Sequence, residues 1–582
     1  MLRKSFYKAR EVRDLKELID SAEVLFGDKP AFKFKKENFK SVVTLAKPQK
    51  EGELLTISYK QFKKDIDCFG TMLSNFKLDR RRIAIISDNR YEWCVSYFAV
   101  TAGNNIVVPL DRSLPENEIE SCLIRSKVEV IIFENKYSEI MKKIEKEDKT
   151  DIKHFICFED EYLRLLRKGE DLLSKGDRKF LDAEINSEDM RIMLFTSGTT
   201  QNPKVVMLSH KNLVSNLMNV GQVIRVYEND ISLTFLPLHH TLSAIVFLLV
   251  IYNGASSAFC DGIKYISQNL VDYRISVLVC VPVLYENMYK RIMKKINDSG
   301  KGKLISVMTP IIKILLKFKI DIRKKVFKDI HNGIGGNIRL LVSGAAPIDK
   351  NVVIGFNTFG LNMVQGYGLT ETSPVLTIEN DKYKKMGSIG LPLPDVDIRI
   401  DSPSEDGIGE IVARGPNVML GYYENDQATF EVLKDDWFYT GDLGYLDKEG
   451  FLFITGRKKN VIVLKNGKNI FPEEIEFLLT RNEVVSECMV YGKPDRDDDL
   501  KLGVKIVYNA DVILERLGKV ELEDIKKYLW EYIKEINKTM PPYKYIRELI
   551  VADEPLIKTT TQKVKRQEEF EKILEQVGLK QI

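Results

Sequence analysis

Short apolar runs rich in β-branched residues recur along the first half of the chain, and stretches with helical periodicity separate them. The runs are continuously apolar, or nearly so, rather than alternating; they are Ile83–Ile86, Ile106–Pro109, Val128–Phe133 and Val277–Val281. Such runs are typical of strands that are buried on both faces of a parallel sheet. The pattern predicts an α/β fold in which mostly parallel sheets are flanked by helices.

The hydrophobic pattern changes from about Gly387 onward. The segments Asp397–Ile400 and Glu410–Ala413 alternate between polar and apolar positions, which predicts a β-rich, antiparallel subdomain. A helical pattern follows near Glu521–Ile536. Since 582 residues exceed the size of one compact core, more than one domain is expected. We place the boundary at Gly456, which gives a large N-terminal domain (1–455) and a small α+β C-terminal domain (456–582).

Composition narrows the class of protein. The 44% hydrophobic and 30% charged residues predict a soluble globular protein, and a net charge of +4 gives no basis for nucleic-acid binding. The longest apolar stretch, Leu242–Tyr252, is shorter than the ~20 residues that span a bilayer, and the N-terminus has no secretory signal. Seven cysteines without a Cys-x-x-Cys pattern suit reduced thiols. We therefore expect a cytoplasmic protein without structural zinc; the sequence does not determine its oligomeric state.

A hydroxyl-rich loop lies between two apolar runs at residues 196–204. It reads Thr-Ser-Gly-Thr-Thr-Gln-Asn-Pro-Lys, so that Thr196, Ser197, Gly198, Thr199 and Thr200 precede Lys204. The backbone N–H groups of such a loop can close around phosphate oxygens, and the lysine adds a positive charge. An ordinary polar hairpin is the alternative interpretation.

A second motif contains two glycines around an aromatic residue, Gln365-Gly366-Tyr367-Gly368, followed by Leu369-Thr370-Glu371. The glycines let the backbone approach a flat ligand, Tyr367 could stack on a base, and Thr370 and Glu371 supply hard oxygen atoms suited to Mg²⁺. Upstream, Gly344 and Ala345 follow the apolar run Arg339–Val342, a position where open α/β sheets bind ligands. An unremarkable turn is the alternative for either glycine motif.

Two further motifs lie closer to the C-terminus. Asp442 ends the segment Trp437–Asp442, and Arg457 follows fifteen residues later; a carboxylate and a guanidinium are a common means of holding a nucleoside. An aspartate turn with a surface arginine is the alternative. The last motif, Lys558–Arg566, is a basic stretch that contains Lys563, and basic stretches are usually solvated.

The order and spacing of these motifs resemble those of the adenylate-forming superfamily of acyl-CoA synthetases, peptide-synthetase adenylation domains and luciferases. The resemblance runs from roughly residue 30 to 570. The hydroxyl-rich loop looks like the family's phosphate loop, and Gln365–Glu371 resembles its adenine and metal motif. Tyr439–Asp442 resembles its ribose motif, Gly456–Lys459 its interdomain hinge, and Lys563 falls at its catalytic lysine.

The resemblance implies ATP, Mg²⁺ and coenzyme A as the small molecules used, and a mobile C-terminal domain. It assigns catalytic roles to Lys563, Glu371 and Lys204. It assigns Mg²⁺ to Thr196 and Glu371, and it places the following residues around ATP or AMP: Thr196, Ser197, Gly198, Thr199, Thr200, Lys204, Gly344, Ala345, Gln365, Gly366, Tyr367, Thr370, Asp442, Arg457, Lys459 and Lys563. The sequence departs from the family at Gln201, Val205 and Gln562, where glycine is usual.

Two segments, Leu236–Thr241 and Lys465–Glu476, look most like long-chain fatty acid–CoA ligases. The resemblance makes His240 a wall of the acyl pocket, although a lone histidine in such a place is more often a packed, hydrogen-bonded residue. Three alternatives stay open: an acyl-AMP ligase that passes its product to a carrier protein, activation of an aryl or medium-chain acid, and a nucleotide-binding protein without turnover.

Residues 301–330 combine aliphatic side chains with nine Lys/Arg and two Asp. This composition is typical of a helix that lies on an anionic membrane. A basic surface helix that packs its apolar face on its own domain is the alternative. The first interpretation predicts a peripheral contact with the inner face of a membrane.

Overall fold

The computed structural model describes residues 5–76, 80–196, 203–300, 302–380, 382–465, 468–494, 500–518, 521–558 and 564–576.

The strands of this part of the chain are β1 (Pro30–Phe34), β2 (Gln49–Glu51), β3 (Leu54–Ser58), β4 (Arg82–Ile86), β5 (Ile106–Pro109), β6 (Val130–Phe133), β7 (His154–Cys157), β8 (Met190–Phe195), β9 (Val205–Ser209), β10 (Ile231–Thr234), β11 (Ser256–Phe259), β12 (Val277–Cys280), β13 (Leu340–Ser343), β14 (Asn362–Gly368), β15 (Val375–Ile378), β16 (Leu391–Pro392), β17 (Asp397–Asp401), β18 (Gly409–Arg414), β19 (Gly421–Tyr422), β20 (Leu433–Lys434), β21 (Trp437–Leu446), β22 (Leu452–Arg457), β23 (Ile462–Val463), β24 (Asn469–Ile470), β25 (Val485–Pro494), β26 (Leu500–Tyr508) and β27 (Ile546–Ala552).

The α-helices are α1 (Leu15–Phe26), α2 (Lys36–Phe39), α3 (Tyr59–Asn75), α4 (Tyr91–Ala102), α5 (Glu116–Arg125), α6 (Ser138–Glu147), α7 (Tyr162–Ser174), α8 (His210–Val223), α9 (Thr241–Tyr252), α10 (Ile266–Asp272), α11 (Pro282–Asp298), α12 (Gly302–Lys317), α13 (Arg323–Val326), α14 (Lys328–Gly333), α15 (Lys350–Thr358), α16 (Asp426–Val432), α17 (Pro472–Leu479), α18 (Ala510–Leu517), α19 (Leu522–Lys538) and α20 (Arg566–Gln576).

Two large sheets contain the strands predicted to be parallel. The first has the order β19-β9-β8-β5-β4-β6-β7, and its strands from β8 to β7 are parallel. The second has the order β16-β15-β14-β13-β12-β10-β11-β1-β3-β2, with parallel pairing from β14 to β1 and antiparallel strands at both edges. All four residues of β5, β6 and β12 are buried, as expected for strands covered by helices on both faces. The predicted α/β class is confirmed.

The antiparallel subdomain is also present. Strands β17, β18, β21, β20 and β22 form a five-stranded sheet in which every pairing is antiparallel. The C-terminal part has a three-stranded sheet, β25-β26-β27, against which α19 lies. Three buried hydrophobic clusters contain no residue beyond Ile454. The other two contain only residues from Ile462 onward. The domain boundary at residue 456 stays a prediction, and it falls between these two groups of clusters.

Candidate functional site

The end of β13 and the neighbouring strand β14 bring the predicted adenine-binding residues together. Strands β13 and β14 are neighbours, with Ser343 opposite Gln365 in the register. A Cβ atom placed on Gly344 would lie 3.7 Å from the carbonyl oxygen of Gly366, so the two backbones are close. Ala345 has a φ of +70°, an uncommon conformation for a residue with a side chain. This is the carboxyl edge of a parallel sheet, where α/β proteins bind ligands.

A buried carboxylate holds the backbone at Gln365. The Gln365 N–H donates to Oε2 of Glu379 at 3.0 Å, and only 3% of Glu379 is exposed. Burial raises the pKa of Glu379 to about 7. This hydrogen bond fixes the direction of the Gln365 N–H within β14.

The predicted ribose carboxylate, Asp442, is held from two sides. Its Oδ1 lies 2.7 Å from Nε of Arg457, and its Oδ2 accepts a 2.7 Å hydrogen bond from the hydroxyl of Tyr367. Asp442 and Arg457 are direct cross-strand partners of β21 and β22. Burial and the nearby Asp442 raise the pKa of Tyr367 well above its usual value, so this phenol stays a donor. Gly441 has a φ of +71° and lies directly before Asp442, where the pairing of β21 with β18 is irregular.

A second cluster joins the predicted metal ligand to the predicted phosphate-binding lysine. The hydroxyl of Tyr422 donates to Oε1 of Glu371 at 2.9 Å. The ammonium group of Lys204 lies 4.6 Å from the centroid of the same tyrosine ring, within the range of a cation–π contact. Burial and the neighbouring Glu371 raise the pKa of Tyr422. One buried aromatic side chain thus contacts both groups.

Sequence reasoning missed Tyr422. Its position follows from the pairing of β19 with β9, in which Tyr422 lies opposite Val206, next to the end of the phosphate loop. The backbone of Glu371 is attached to the same segment, because the Met419 N–H donates to the Glu371 carbonyl at 2.8 Å. The Gly421-Tyr422-Tyr423 segment carried a signal only as an aromatic pair after glycine, which does not indicate these partners.

We predict that Tyr422→Phe raises the Mg²⁺ concentration needed for half-maximal activity about 10-fold or more, as loss of partners of metal ligands commonly does. The ring over Lys204 is kept, so the KM for ATP at saturating Mg²⁺ should change little. Tyr422→Leu should raise both quantities. Parallel Mg²⁺ and ATP titrations measure the effects.

The matched control is Tyr423→Phe, the neighbouring residue, whose ring lies 5.3 Å from the Arg82 guanidinium instead. An equal shift of the Mg²⁺ requirement in both variants would contradict a specific role for the Tyr422 hydroxyl.

The stems of the predicted phosphate loop are paired. Strands β8 and β9 are antiparallel, and both the N–H and the hydroxyl of Thr196 donate to the carbonyl of Lys204, at 2.9 and 3.2 Å. Four predicted loop residues, Ser197, Gly198, Thr199 and Thr200, lie outside the described residues. The two predicted Mg²⁺ donors are the Thr196 hydroxyl and the Glu371 carboxylate, beside Thr370 in the 3₁₀ turn Thr370–Thr372. Hard oxygen donors of this kind fit Mg²⁺.

Lys563 also lies outside the described residues, but the chain on both sides of it is anchored. Lys558 and Val564 form an isolated antiparallel bridge. Arg566 forms an ion pair with Glu476. In addition, Lys505 and Glu569 form an almost fully buried pair with an N–O distance of 2.5 Å. The described residues on both sides of positions 559–563 are therefore tied to the C-terminal part of the chain. Lys459, the predicted hinge residue, lies in the 3₁₀ turn Lys458–Asn460 directly after β22.

His240 stands immediately before α9, and its carbonyl accepts from the Ala244 N–H at 3.0 Å. Its ring centroid lies 4.1 Å from that of His239, whose Nε2 is 3.5 Å from an oxygen of Asp111. Burial and His240 lower the pKa of His239 to about 3, so that imidazole is neutral. Both the wall interpretation and the packed interpretation of His240 remain compatible with this position.

Comparisons with known proteins agree with this arrangement. The AMP-binding enzyme family matches residues 26–423, and the AMP-binding enzyme C-terminal domain matches residues 459–577. The chain therefore belongs to the AMP-binding enzyme family. Family and relatives together define it as an acid–thiol ligase that uses ATP.

Two curated relatives are named for different acyl acceptors. The long-chain-fatty-acid–CoA ligase FadD15 of Mycobacterium bovis is 30% identical over 440 residues, 71% of each chain. The chloroplastic long-chain-fatty-acid–[acyl-carrier-protein] ligase AEE15 of Arabidopsis thaliana is 26% identical over 622 aligned positions, which cover 91% of this chain and 83% of the relative. The names agree on long-chain fatty acids and differ in the acceptor.

A solved structure supports the fold. The anthranilate CoA ligase AuaEII in complex with anthranoyl-AMP superposes with a TM-score of 0.73, at 18% identity, over 97% of both chains. At this identity the likeness confirms the fold, and the substrate of that enzyme carries no information about the acid used here.

Proposed function

We propose that this protein activates a long-chain fatty acid with ATP through an acyl-adenylate and transfers the acyl group to coenzyme A, releasing pyrophosphate and AMP. The observation that carries the proposal is the cluster of Glu371, Tyr422 and Lys204, in which a hard carboxylate and a cation share one aromatic neighbour. The matches to the AMP-binding enzyme family and to its C-terminal domain favour turnover over nucleotide binding alone. The long-chain relatives support the choice of acid.

In the first half-reaction a carboxylate oxygen attacks the α-phosphorus of ATP, and pyrophosphate leaves. The main obstacle is the approach of one anion to another. Lys204 and Lys563 would reduce this repulsion and stabilise charge on the phosphoryl oxygens. Mg²⁺, held by Glu371 and Thr196, would supply further charge neutralisation. Asp442 would accept hydrogen bonds from the ribose, while Arg457 and Tyr367 fix its orientation.

In the second half-reaction a thiolate attacks the acyl carbonyl, and AMP leaves. This step needs a different set of groups at the same carbonyl. We propose that the C-terminal part turns about Lys459 to exchange them, as hinge motions commonly do. Because the chain next to Lys563 is anchored in the C-terminal part, that lysine would then leave the site together with this part.

A pyrophosphate-release assay across carboxylic acids of increasing chain length, with and without coenzyme A, tests the proposal. Release should depend on ATP, Mg²⁺ and a long-chain acid, and acyl-CoA should accumulate only with coenzyme A. Release only with aryl or medium-chain acids would mean that these acids, and not long-chain fatty acids, are the substrates. Nucleotide binding without release for any acid would reject the ligase activity.

A carrier protein is the second candidate acceptor. The match to the acyl-carrier-protein ligase covers more of this chain than the match to FadD15 does, which supports a carrier protein as the second candidate. The same assay distinguishes the two, because holo acyl carrier protein would then replace coenzyme A as the species that is acylated.

The basic segment 301–330 has two apolar faces in the structure. In α12, Ile312 is 2% exposed and packs with Met308, Leu316 and Phe327 into a buried cluster. A second stripe at spacings of four, three and four residues is exposed, namely Val307, Ile311, Ile314 and Phe318. The packed-helix interpretation explains the first face, whereas the residues of the second face are exposed.

We propose that this second face lies on an anionic lipid surface. The exposed lysines Lys317, Lys319, Lys324 and Lys325 adjoin the stripe, which gives the charge complementarity that such a surface needs. Among the helices that the structure describes, none combines the length and the apolar character that crossing a bilayer requires. The contact would therefore be interfacial.

Changing Lys317 and Lys319 together to Gln should weaken binding to anionic vesicles about 10-fold or more, since each lysine near such a surface contributes about 1 kcal/mol. Co-sedimentation at low and high salt measures the effect. The control, Lys526→Gln with Lys527→Gln, makes the same charge change on α19 and should bind as the wild type does. Equal binding by all three proteins would mean that α12 is an ordinary surface helix.

A further inference from the structure

An apolar seam runs between α9 and the second large sheet. Near His240 its outer part is lined by residues that include Leu236, Ser243 and Phe247. Its inner part, toward the amino ends of the strands, includes Leu249, Val277 and Leu340. The two parts are adjacent cavities that share four lining residues: Ser232, Val246, Val250 and Val279.

The inner end of the seam contains a paired charge. Asp230, only 3% exposed, lines this end and accepts from Nε of Arg339 at 2.8 Å. The hydroxyl of Ser276 and the N–H of Tyr227 each donate to the same carboxylate at 2.7 Å. The Arg339 guanidinium also lies 4.6 Å from the Tyr227 ring centroid and donates to the Arg225 carbonyl at 2.8 Å. Both members of the ion pair therefore have further partners: Asp230 accepts two more hydrogen bonds, and Arg339 makes a cation–π contact and donates to a carbonyl.

The length of the seam is that of a long acyl chain. Asp230 and Leu236 are six residues apart, with β10 between them, which corresponds to at most roughly 20 Å of backbone. A saturated chain advances about 1.3 Å per carbon when its bonds of about 1.5 Å form a zigzag, so about 16 carbons fit this distance. The seam is narrow in this structure, with cavity volumes of about 10 and 30 Å³, so a bound chain must displace side chains of α9.

We propose that the acyl chain extends along this seam and that the Asp230–Arg339 ion pair is its terminal wall, which sets the upper limit of chain length at about the long-chain range. This inference rests on the proposed function, and it adds the residues that select chain length. A methyl terminus gains nothing from contact with a charged pair, and separating the pair would leave two charges without their partners. Longer acids are therefore excluded by chemistry as well as by space.

Two filling variants test the wall and the path to it. Val277→Phe fills only the inner part, whereas Val279→Phe fills the junction of both parts. The kcat/KM for acids of the longest accepted length should fall about 10-fold or more in Val277→Phe, because one displaced methylene already changes it by that factor. Short acids should be unaffected. In Val279→Phe the loss should begin at a shorter chain length.

An opening variant gives the opposite result. Asp230→Ala combined with Arg339→Ala removes both charges together and should extend the accepted range to acids longer than the wild type uses. Val463→Phe is the matched control for the two filling variants, since it makes the same change at a valine that is 57% exposed in the C-terminal part. Thermal unfolding of each variant identifies a loss of fold, and competition between two acids in one tube gives a preference that does not depend on the active fraction.

The outcomes separate this inference from the proposed function. A graded shift of preference with filling position supports the seam and the wall. A wild type that is active on long-chain acids, together with unchanged preferences in Val277→Phe and Val279→Phe, would overturn the seam alone. Graded filling effects with an unchanged limit in the opening variant would overturn the wall. A wild type that releases no pyrophosphate with any fatty acid would overturn the proposed function itself.

Discussion

Alanine in place of Lys563 is expected to slow acyl-adenylate formation about 10²–10³-fold, which corresponds to roughly 2.7–4 kcal/mol of lost transition-state stabilisation. The physical reason is that this lysine would neutralise charge where carboxylate and α-phosphate meet. Thioester formation from supplied acyl-adenylate should be much less affected, because that half-reaction would use the other orientation of the C-terminal part. Pyrophosphate release and thioester formation are measured separately.

The control for this variant is Lys565→Ala, two residues away. Its side chain forms an ion pair with Glu568, and its backbone N–H donates to the Ile557 carbonyl, a bond that alanine preserves. It should keep both half-reactions. An equal loss of both half-reactions in Lys563→Ala would exclude either the role of Lys563 or the exchange between two orientations.

Glu371→Gln should raise the Mg²⁺ requirement by at least about 10-fold, since the change removes the charge of a proposed ligand and alters the partner of Tyr422. ATP binding measured without metal should change little. Titration of Mg²⁺ at fixed ATP gives the requirement, and equilibrium binding in the presence of a chelator gives the second quantity.

The comparison for Glu371→Gln is Glu129→Gln, which neutralises another carboxylate that is only 9% exposed and that pairs with Arg81 and Lys153. Its Mg²⁺ requirement should equal that of the wild type. Unchanged Mg²⁺ dependence in Glu371→Gln would remove this residue from the ligand set. If Tyr422→Phe raises the Mg²⁺ requirement in part as Glu371→Gln does, the two residues act together on the metal site through their hydrogen bond.

The sequence predicted well those features that depend on local patterns. Continuous apolar runs such as Ile106–Pro109 became buried parallel strands, and the alternating segment Asp397–Ile400 became part of an antiparallel strand. Asp442 and Arg457 were singled out by spacing within a resemblance, and a hairpin of β21 and β22 makes them direct partners. Periodicity and short hairpins act over a few residues, so the chain itself carries this information.

Other features depend on contacts between distant segments, and here the sequence was ambiguous or silent. In α12 both Ile311 and Ile312 read as apolar, but only packing against the buried cluster decides that Ile312 is covered and Ile311 exposed. Nothing in the sequence joins Tyr422 to Glu371, or Asp230 to Arg339, which lie 51 and 109 positions apart.

The amino-acid sequence by itself determined the class of fold, the family and the candidate residues of the nucleotide site, because strand and helix periodicity and motif order are written along the chain. The tertiary structure alone decided which side chains share a neighbour, where the seam beside α9 ends, and which face of α12 is left uncovered. The physical reason is that sheet order brings together residues from remote segments, and the contacts they make depend on packing in three dimensions.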